Sequence, residues 1–185
     1  MCGFLSVCSN YKLTDEEIEK YSNLSRLIKH RGPDKFDFFK SENYLSLFYR
    51  LSIRDQTDSS SQPIKSDCGR YIISFNGEIY SLENMGRENI NKYKSDTKAL
   101  SYLISKMGIK LLEKIRGMFA ITIFDKVSQC VYIYRDPFGI KPLFYKFDNN
   151  KLIIASEQTP LLTKTSNIDK KQCIRFLRMW ISHDN

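Results

Sequence analysis

Met1-Cys2-Gly3-Phe4-Leu5-Ser6-Val7 opens the chain. The run from Cys2 to Val7 is short, largely apolar and terminal, so it reads as a buried strand whose first residue sits at a sheet end. Removal of Met1 would leave a thiol and a free α-amine on the same residue. An α-amine titrates at roughly 7.7 to 8.0, so it can take the proton of the thiol and later pass it to a leaving amine. Nucleophile and base then coincide, and no catalytic histidine is required. Read alone, Cys2 is more commonly a buried structural cysteine than a nucleophile, and the rest of the chain has to decide between the two.

Working outward, Thr14-Asp15-Glu16-Glu17 has the form of a capping box. Ile18, Tyr21, Leu24, Leu27 and Ile28 follow at helical spacing, which predicts one amphipathic helix to about Ile28. After the His30 to Asp34 turn come strand-like runs over Phe36 to Phe39 and Tyr44 to Ile53, the second alternating like a half-buried strand. The polar stretch Asp55 to Ser66, with Pro63, reads as a loop before a strand from Arg70 to Phe75, which Asn76-Gly77 breaks. Ser95-Asp96 starts a capped helix, and a shorter one runs from Ile109 to about Ile115. Strands over Met118 to Asp125, Cys130 to Arg135, Leu143 to Phe147 and Lys151 to Ser156 follow, then a helix from Asp169 to Trp180. Strands and helices without regular βαβ alternation predict an α+β layered fold with largely antiparallel sheets.

The 185 residues suit one compact unit and leave no room for a second catalytic domain. The net charge of +8 comes from 29 Lys and Arg against 21 Asp and Glu. It falls in no dense basic run, zinc-finger spacing or RNA-binding signature, so it reads as Lys-rich composition and not as nucleic-acid binding. Cys2, Cys8, Cys68, Cys130 and Cys173 are odd in number and form no CxxC pair, which fits neither a disulfide framework nor a zinc site and suits a reducing, cytoplasmic setting. No basic region followed by an apolar stretch opens the chain, and no window approaches a membrane span, so a soluble protein is expected.

Asn76-Gly77 reads either as a hairpin turn, where both residues tolerate positive φ, or as a pair of oxyanion donors. In the second reading the Asn76 amide and the Gly77 N–H converge on the oxygen of a tetrahedral intermediate. Arg50 and Asp96, taken singly, read as a strand charge and a helix cap.

Taken together and in order, several blocks resemble the glutaminase half of glutamine-dependent asparagine synthetases, a class II glutamine amidotransferase domain. They are Met1-Cys2-Gly3, His30-Arg31-Gly32-Pro33-Asp34, Arg50-Leu51-Ser52-Ile53, Asn76-Gly77-Glu78-Ile79-Tyr80, Ser95-Asp96-Thr97, Gly117-Met118-Phe119-Ala120, Arg135 to Leu143 and Ala155-Ser156-Glu157. The match spans about residues 1 to 160, and residues 161 to 185 resemble the start of the connection to an absent synthetase domain. The resemblance implies the N-terminal-nucleophile hydrolase fold, a four-layer αββα arrangement with two stacked, mostly antiparallel sheets.

It further implies that Cys2 is nucleophile and, through its amine, base, and that Asn76 and Gly77 hold the oxyanion. Arg50 would meet the α-carboxylate of glutamine and Asp96 its α-ammonium, with Leu51, Ile53 and Glu78 also lining the substrate pocket. A guanidinium at one end and a carboxylate at the other select free glutamine over glutamine within a peptide. His30 and the Arg135 to Leu143 turn read as structural support. One departure stands out: Lys98 follows Ser-Asp-Thr where the family usually has an acidic residue. The implied activity is hydrolysis of glutamine to glutamate and ammonia through a Cys thioester, the ammonia passing to an ATP-dependent synthetase. A catalytically silent regulatory or interaction domain is the alternative. No metal or organic cofactor is implied, because thiol, amine and two oxyanion donors suffice for amide hydrolysis.

Overall fold

The computed structural model describes residues 1–52, 61–82, 93, 95–162 and 169–179. Its centre is β1 (Gly3–Ser9), which pairs antiparallel with β3 (Tyr44–Arg50) on one side and β9 (Lys151–Ala155) on the other. With β2 (Lys35–Lys40) and β8 (Phe144–Asp148) at the edges, these make a five-stranded sheet in the order β2-β3-β1-β9-β8. A second sheet, β4-β5-β6-β7, is built from Ile64–Lys65, Tyr71–Leu82, Ile115–Asp125 and Cys130–Arg135. All of the strand pairings are antiparallel.

Alternation along the strands makes the layers. Leu5, Val7, Leu45, Leu47 and Tyr49 face a helical layer formed by α1 (Asp15–Ser25) and the 3₁₀ turn Arg26–Arg31. Ile73, Phe75, Phe119, Ile121 and Ile123 face α2 (Asp96–Met107) and the 3₁₀ turn Ile109–Lys114 on the opposite surface. Between the sheets lie Phe4, Phe48, Ala120 and Ile154, with Tyr44, Ile72 and Phe124 farther along. The result is the expected αββα stack. A final helix, α3, spans Lys170–Met179.

The capping box forms as predicted. Thr14 Oγ1 accepts from the Glu17 N–H at 3.2 Å while Glu17 Oε2 accepts from the Thr14 N–H at 3.0 Å, a motif that stabilises a helix start by about 1 kcal/mol. The helix then tightens into a 3₁₀ turn after Ser25 instead of running on regularly to Ile28. The Ser22 and Ser25 hydroxyls each donate back to a carbonyl, Ile18 O and Ser22 O, both at 2.7 Å, and such back-bonding competes with a regular helical ladder.

Three strand expectations change. β3 is buried at every position from Tyr44 to Arg50, not half-buried, because it has the α1 layer on one face and the second sheet on the other. β4 was hidden inside the polar stretch read as a loop. Asn76-Gly77 does not break its strand: β5 continues through both residues to Leu82, with Asn76 opposite Ala120 and Gly77 opposite Phe119. The hairpin reading of that pair is therefore wrong. A Cβ on Gly77 would stand 2.1 Å from Met118 O, so glycine is required there for backbone approach within the sheet and not for a turn.

Candidate active site

β1 and β3 deliver Cys2 and Arg50 to one end of the first sheet, since Gly3 lies opposite Tyr49. β5 delivers Asn76, Gly77 and Glu78, and the N-terminus of α2 delivers Asp96. These residues line one pocket of about 190 Å³, together with Met1, Leu51, Ser52, Gln62, Phe75, Ser95, Thr97, Met118 and Lys141. That volume is below the roughly 300 to 1,000 Å³ of drug-sized sites and suits a small ligand.

The Cys2 sulfur is fixed from the strand opposite: it accepts from the Leu51 N–H at 3.4 Å and lies 3.7 Å from Leu51 O. Burial pushes its thiol pKa up, against the Leu51 N–H, the terminal ammonium, Arg50 and Arg31, which all favour the thiolate. The thiol therefore stays protonated at neutral pH and needs a base to become nucleophilic. The backbone of Cys2 is anchored separately. Arg31 Nε donates to Cys2 O at 3.1 Å, and Arg31 Nη1 donates to Glu157 Oε1 at 3.0 Å. His30 Nε2 also lies 2.9 Å from Glu157 Oε1. Burial pushes the Glu157 carboxyl up, but Arg31 and His30 outweigh that and hold it below the usual range. The sequence assigned His30 to loop support, which fits this contact; Arg31, its neighbour in the same block, carries the more direct link. Met1 is 52% exposed and lies at the pocket.

Gly32 lets this loop cross the end of β3. A Cβ there would lie 2.2 Å from Tyr49 O, and the Asp34 N–H donates to Arg50 O at 3.1 Å. The end of β3, and with it Arg50, is thereby clasped.

Asn76 is 2% exposed, yet its Nδ2 has no hydrogen-bond partner among the described residues. Leaving such a donor buried costs about 1–3 kcal/mol, so its persistence at a pocket wall points to a ligand acceptor. On the outer edge of β5 the Phe75 N–H donates to Gln62 Oε1 at 2.6 Å and the Ile79 N–H donates to Asp96 Oδ2 at 3.0 Å. N–H directions alternate along a strand, so the Gly77 N–H points to this same edge, between the two.

The structure thus brings together Cys2, Arg50, Leu51, Asn76, Gly77, Glu78 and Asp96, all anticipated from the sequence; Ile53 lies outside the described residues. Sequence reasoning missed Gln62, Arg31 and Lys141. Lys141 belongs to the Arg135 to Leu143 turn, which is ordered as expected. Burial pushes the Asp136 carboxyl up, but the N–H groups of Lys141, Ile140, Phe119 and Phe138 outweigh it and hold it below the usual range. Lys98, the departure from the family pattern, gives its N–H to Ser95 Oγ at 3.3 Å, so the helix cap does not depend on its side chain.

Cys2 thus stands at the mouth of a sheet sandwich beside Arg50, Asn76, Gly77 and Asp96, and comparison with known proteins shows the family to which such a domain belongs. A family model described as "Glutamine amidotransferase domain" matches residues 1–185, and the chain belongs to that family. It is 36% identical over 176 residues to asparagine synthetase [glutamine-hydrolyzing] 1 of Bacillus subtilis, covering 91% of this chain and 28% of the relative. Asparagine synthetase B [glutamine-hydrolyzing] of Escherichia coli is 32% identical, with 88% of this chain and 30% of the relative covered. Amidase chry2 of Gibberella zeae is 31% identical, with 87% and 25% covered. The chain thus spans about three tenths or less of these relatives. Among solved structures, glutamine phosphoribosylpyrophosphate amidotransferase from B. subtilis superposes with a TM-score of 0.65 at 16% identity, over 86% of this chain and 43% of that one, which establishes the N-terminal-nucleophile fold.

Proposed function

We infer that this domain hydrolyses free glutamine, and that the ammonia released serves an ATP-dependent synthetase of the asparagine-synthetase type. The observation that carries the reading is the pocket itself. It holds a sulfur fixed by Leu51, a buried amide donor with no hydrogen-bond partner among the described residues, and opposite charges at Arg50 and Asp96.

After loss of Met1, the Cys2 amine takes the thiol proton and Sγ bonds to the carboxamide carbon. The carbonyl π pair moves onto oxygen, where Asn76 Nδ2 and the Gly77 N–H receive the charge. The C–N bond then breaks, its nitrogen taking the proton held by the amine, and ammonia leaves a γ-glutamyl thioester. Water adds to that thioester, the amine again accepting a proton, and the S–C bond breaks to give glutamate and the free thiol. Arg50 holds the substrate α-carboxylate and Asp96 its α-ammonium, with Leu51 and Glu78 lining the same pocket and Ile53 assigned to substrate binding by the family resemblance alone. These groups suffice without a metal or organic cofactor. Residues 161 to 185 are read as the start of the connection towards the synthetase. Relatives named as asparagine synthetases favour aspartate as the acceptor, while the likeness to an amidase leaves room for another carboxylate.

The test is glutamate release from glutamine by Met-processed protein. It should be present in the wild type and fall by roughly 10⁴-fold or more in Cys2→Ala, the scale on which nucleophile removal acts. Processed wild-type protein with no hydrolysis, or unchanged activity in Cys2→Ala, would sink the reading and favour a silent domain.

A further inference from the structure

We propose that Gln62 is the positioning residue of the oxyanion cradle, its side-chain amide standing in for a strand that ends too early. The inference rests on the glutaminase reading and adds a residue that does not itself touch substrate.

β4 pairs with β5 over two residues only, Ile64 opposite Ile73 and Lys65 opposite Ile72. Continuing that ladder would set Gln62 opposite Phe75, but the backbone pairing stops at Ile64. The Gln62 side chain makes the ladder contacts instead. Its Oε1 accepts from the Phe75 N–H at 2.6 Å and its Nε2 donates to Phe75 O at 3.0 Å, the double exchange that a backbone peptide makes across an antiparallel pair. The second Nε2 hydrogen goes to Thr97 Oγ1 at 3.1 Å, at the start of α2. The group is 5% exposed, and both amide hydrogens are committed.

Phe75 immediately precedes the oxyanion pair, and Thr97 immediately follows Asp96. One amide therefore fixes the strand carrying Asn76 and Gly77 against the helix carrying Asp96. On the far side, Asp96 itself takes the Ile79 N–H at 3.0 Å. Among the described residues, the outer edge of β5 is thus occupied at Phe75 and at Ile79 by side chains, and Gly77 between them lines the pocket. A complete neighbouring strand would have consumed the Gly77 N–H, and no neighbour at all would have left the edge loose. Gln62 and Asp96 bracket a gap of one residue, where the oxyanion sits.

Gln62→Glu keeps the size and the acceptor but loses the Nε2 hydrogens, so Phe75 O and Thr97 Oγ1 lose their donor. Because displacement of about 1 Å in a preorganised site costs roughly 100-fold, kcat for glutamine hydrolysis should fall about 100-fold while KM rises by less than about tenfold, since Arg50 is untouched and Asp96 keeps its own bond to the Ile79 N–H. Alkylation of Cys2 by iodoacetamide, which forms no oxyanion, should proceed within about twofold of the wild-type rate. Thr97→Val, which removes only the link to α2, should lower kcat by a smaller factor, about fivefold to tenfold, with the same unchanged alkylation.

Wild-type kcat in Gln62→Glu, or alkylation that falls in step with kcat, would overturn the positioning role. If Gln62→Glu does not fold, the Thr97→Val result decides, and wild-type kcat there overturns the proposal. An inactive processed wild type would instead refute the glutaminase reading itself, and the inference with it.

Discussion

Ser46 and Asn76 both lie buried between the same two sheets, Asn76 two residues along β5 from the partner of Ser46, yet they treat hydrogen bonding in opposite ways. Ser46 Oγ is 2.9 Å from Ser6 Oγ and 2.9 Å from Ser74 Oγ, and Ser6 is within 3.5 Å of Thr122 Oγ1, so a layer of hydroxyls from four strands satisfies itself inside the sandwich. One step nearer the open end, Asn76 Nδ2 has no such partner. Among the described residues Tyr21 Oη and Tyr44 Oη also lack a close hydrogen-bond partner, but neither lines the pocket, and Tyr44 faces the hydroxyls of Ser6, Ser46 and Thr122. A core able to satisfy its serines could satisfy an asparagine. That it does not, at a pocket holding a sulfur and two opposite charges, supports the proposal that this layer is kept for substrate while the serine layer serves stability.

After removal of the Cys2 sulfur itself, the largest effect expected on the active end comes from the base. A variant that keeps one extra residue before Cys2 retains the thiol and loses the α-amine beside it, so hydrolysis should drop by roughly 10²–10⁴-fold, the usual contribution of a positioned acid–base group. Intact mass confirms retention and steady-state rates give the loss; undiminished turnover would move the base elsewhere.

The comparison is sharpened next by a matched pair. Asn76→Ala should lower kcat by roughly 10²–10³-fold, as loss of an oxyanion donor does, with a smaller loss of stability than Ser46→Ala. Ser46→Ala takes a hydrogen-bond partner from both Ser6 and Ser74, leaving Ser6 only Thr122 at 3.5 Å, and should destabilise by about 1–3 kcal/mol, with kcat within about threefold of wild type. Denaturant titration beside kinetics reads both. If the serine variant loses the activity and the asparagine variant the stability, the division between the two layers is wrong.

How much of this was legible beforehand follows from what each signal depends on. The capping box at Thr14 and Glu17, and the Cys130–Arg135 strand, are local and were read correctly. The pocket residues were readable because their blocks occur in family order, although they come from four separate elements. β4 was not legible, since its two residues are held by pairing with β5 and not by any pattern of their own. Asn76-Gly77 was misread as a strand break because an Asn-Gly pair looks the same in a turn as beneath the close approach of Met118 to Gly77. Gln62 carried no signal at all, for its importance lies in a register across a sheet edge.

The smallest effect concerns the remote face, where Lys151 Nζ lies 2.6 Å from Glu17 Oε1 and ties α1 to β9. Hydrogen bonding to Lys151, opposed by burial and helped by the Thr14 N–H and the Tyr11 hydroxyl, lowers the Glu17 carboxyl from 4.5 to about 2. A carboxyl lowered on folding adds stability that is complete above its ordinary pKa and is lost as pH falls through the folded value. The stability gap between wild type and Glu17→Gln should therefore be level from pH 7 to about 5, shrink below about 4.5 and close near 2. A gap that widens on acidification would mean the pair is not formed.

The central claim is tested most directly by covalent capture. The protein is incubated with a glutamine analogue carrying a chloroketone in place of the carboxamide, and its intact mass and peptide map are then measured. The account predicts a chain lacking Met1 with one adduct, on Cys2, whose formation free glutamine suppresses. Label on Cys68 or Cys130 with Cys2 untouched, or a chain that keeps Met1 and takes no label, would contradict it.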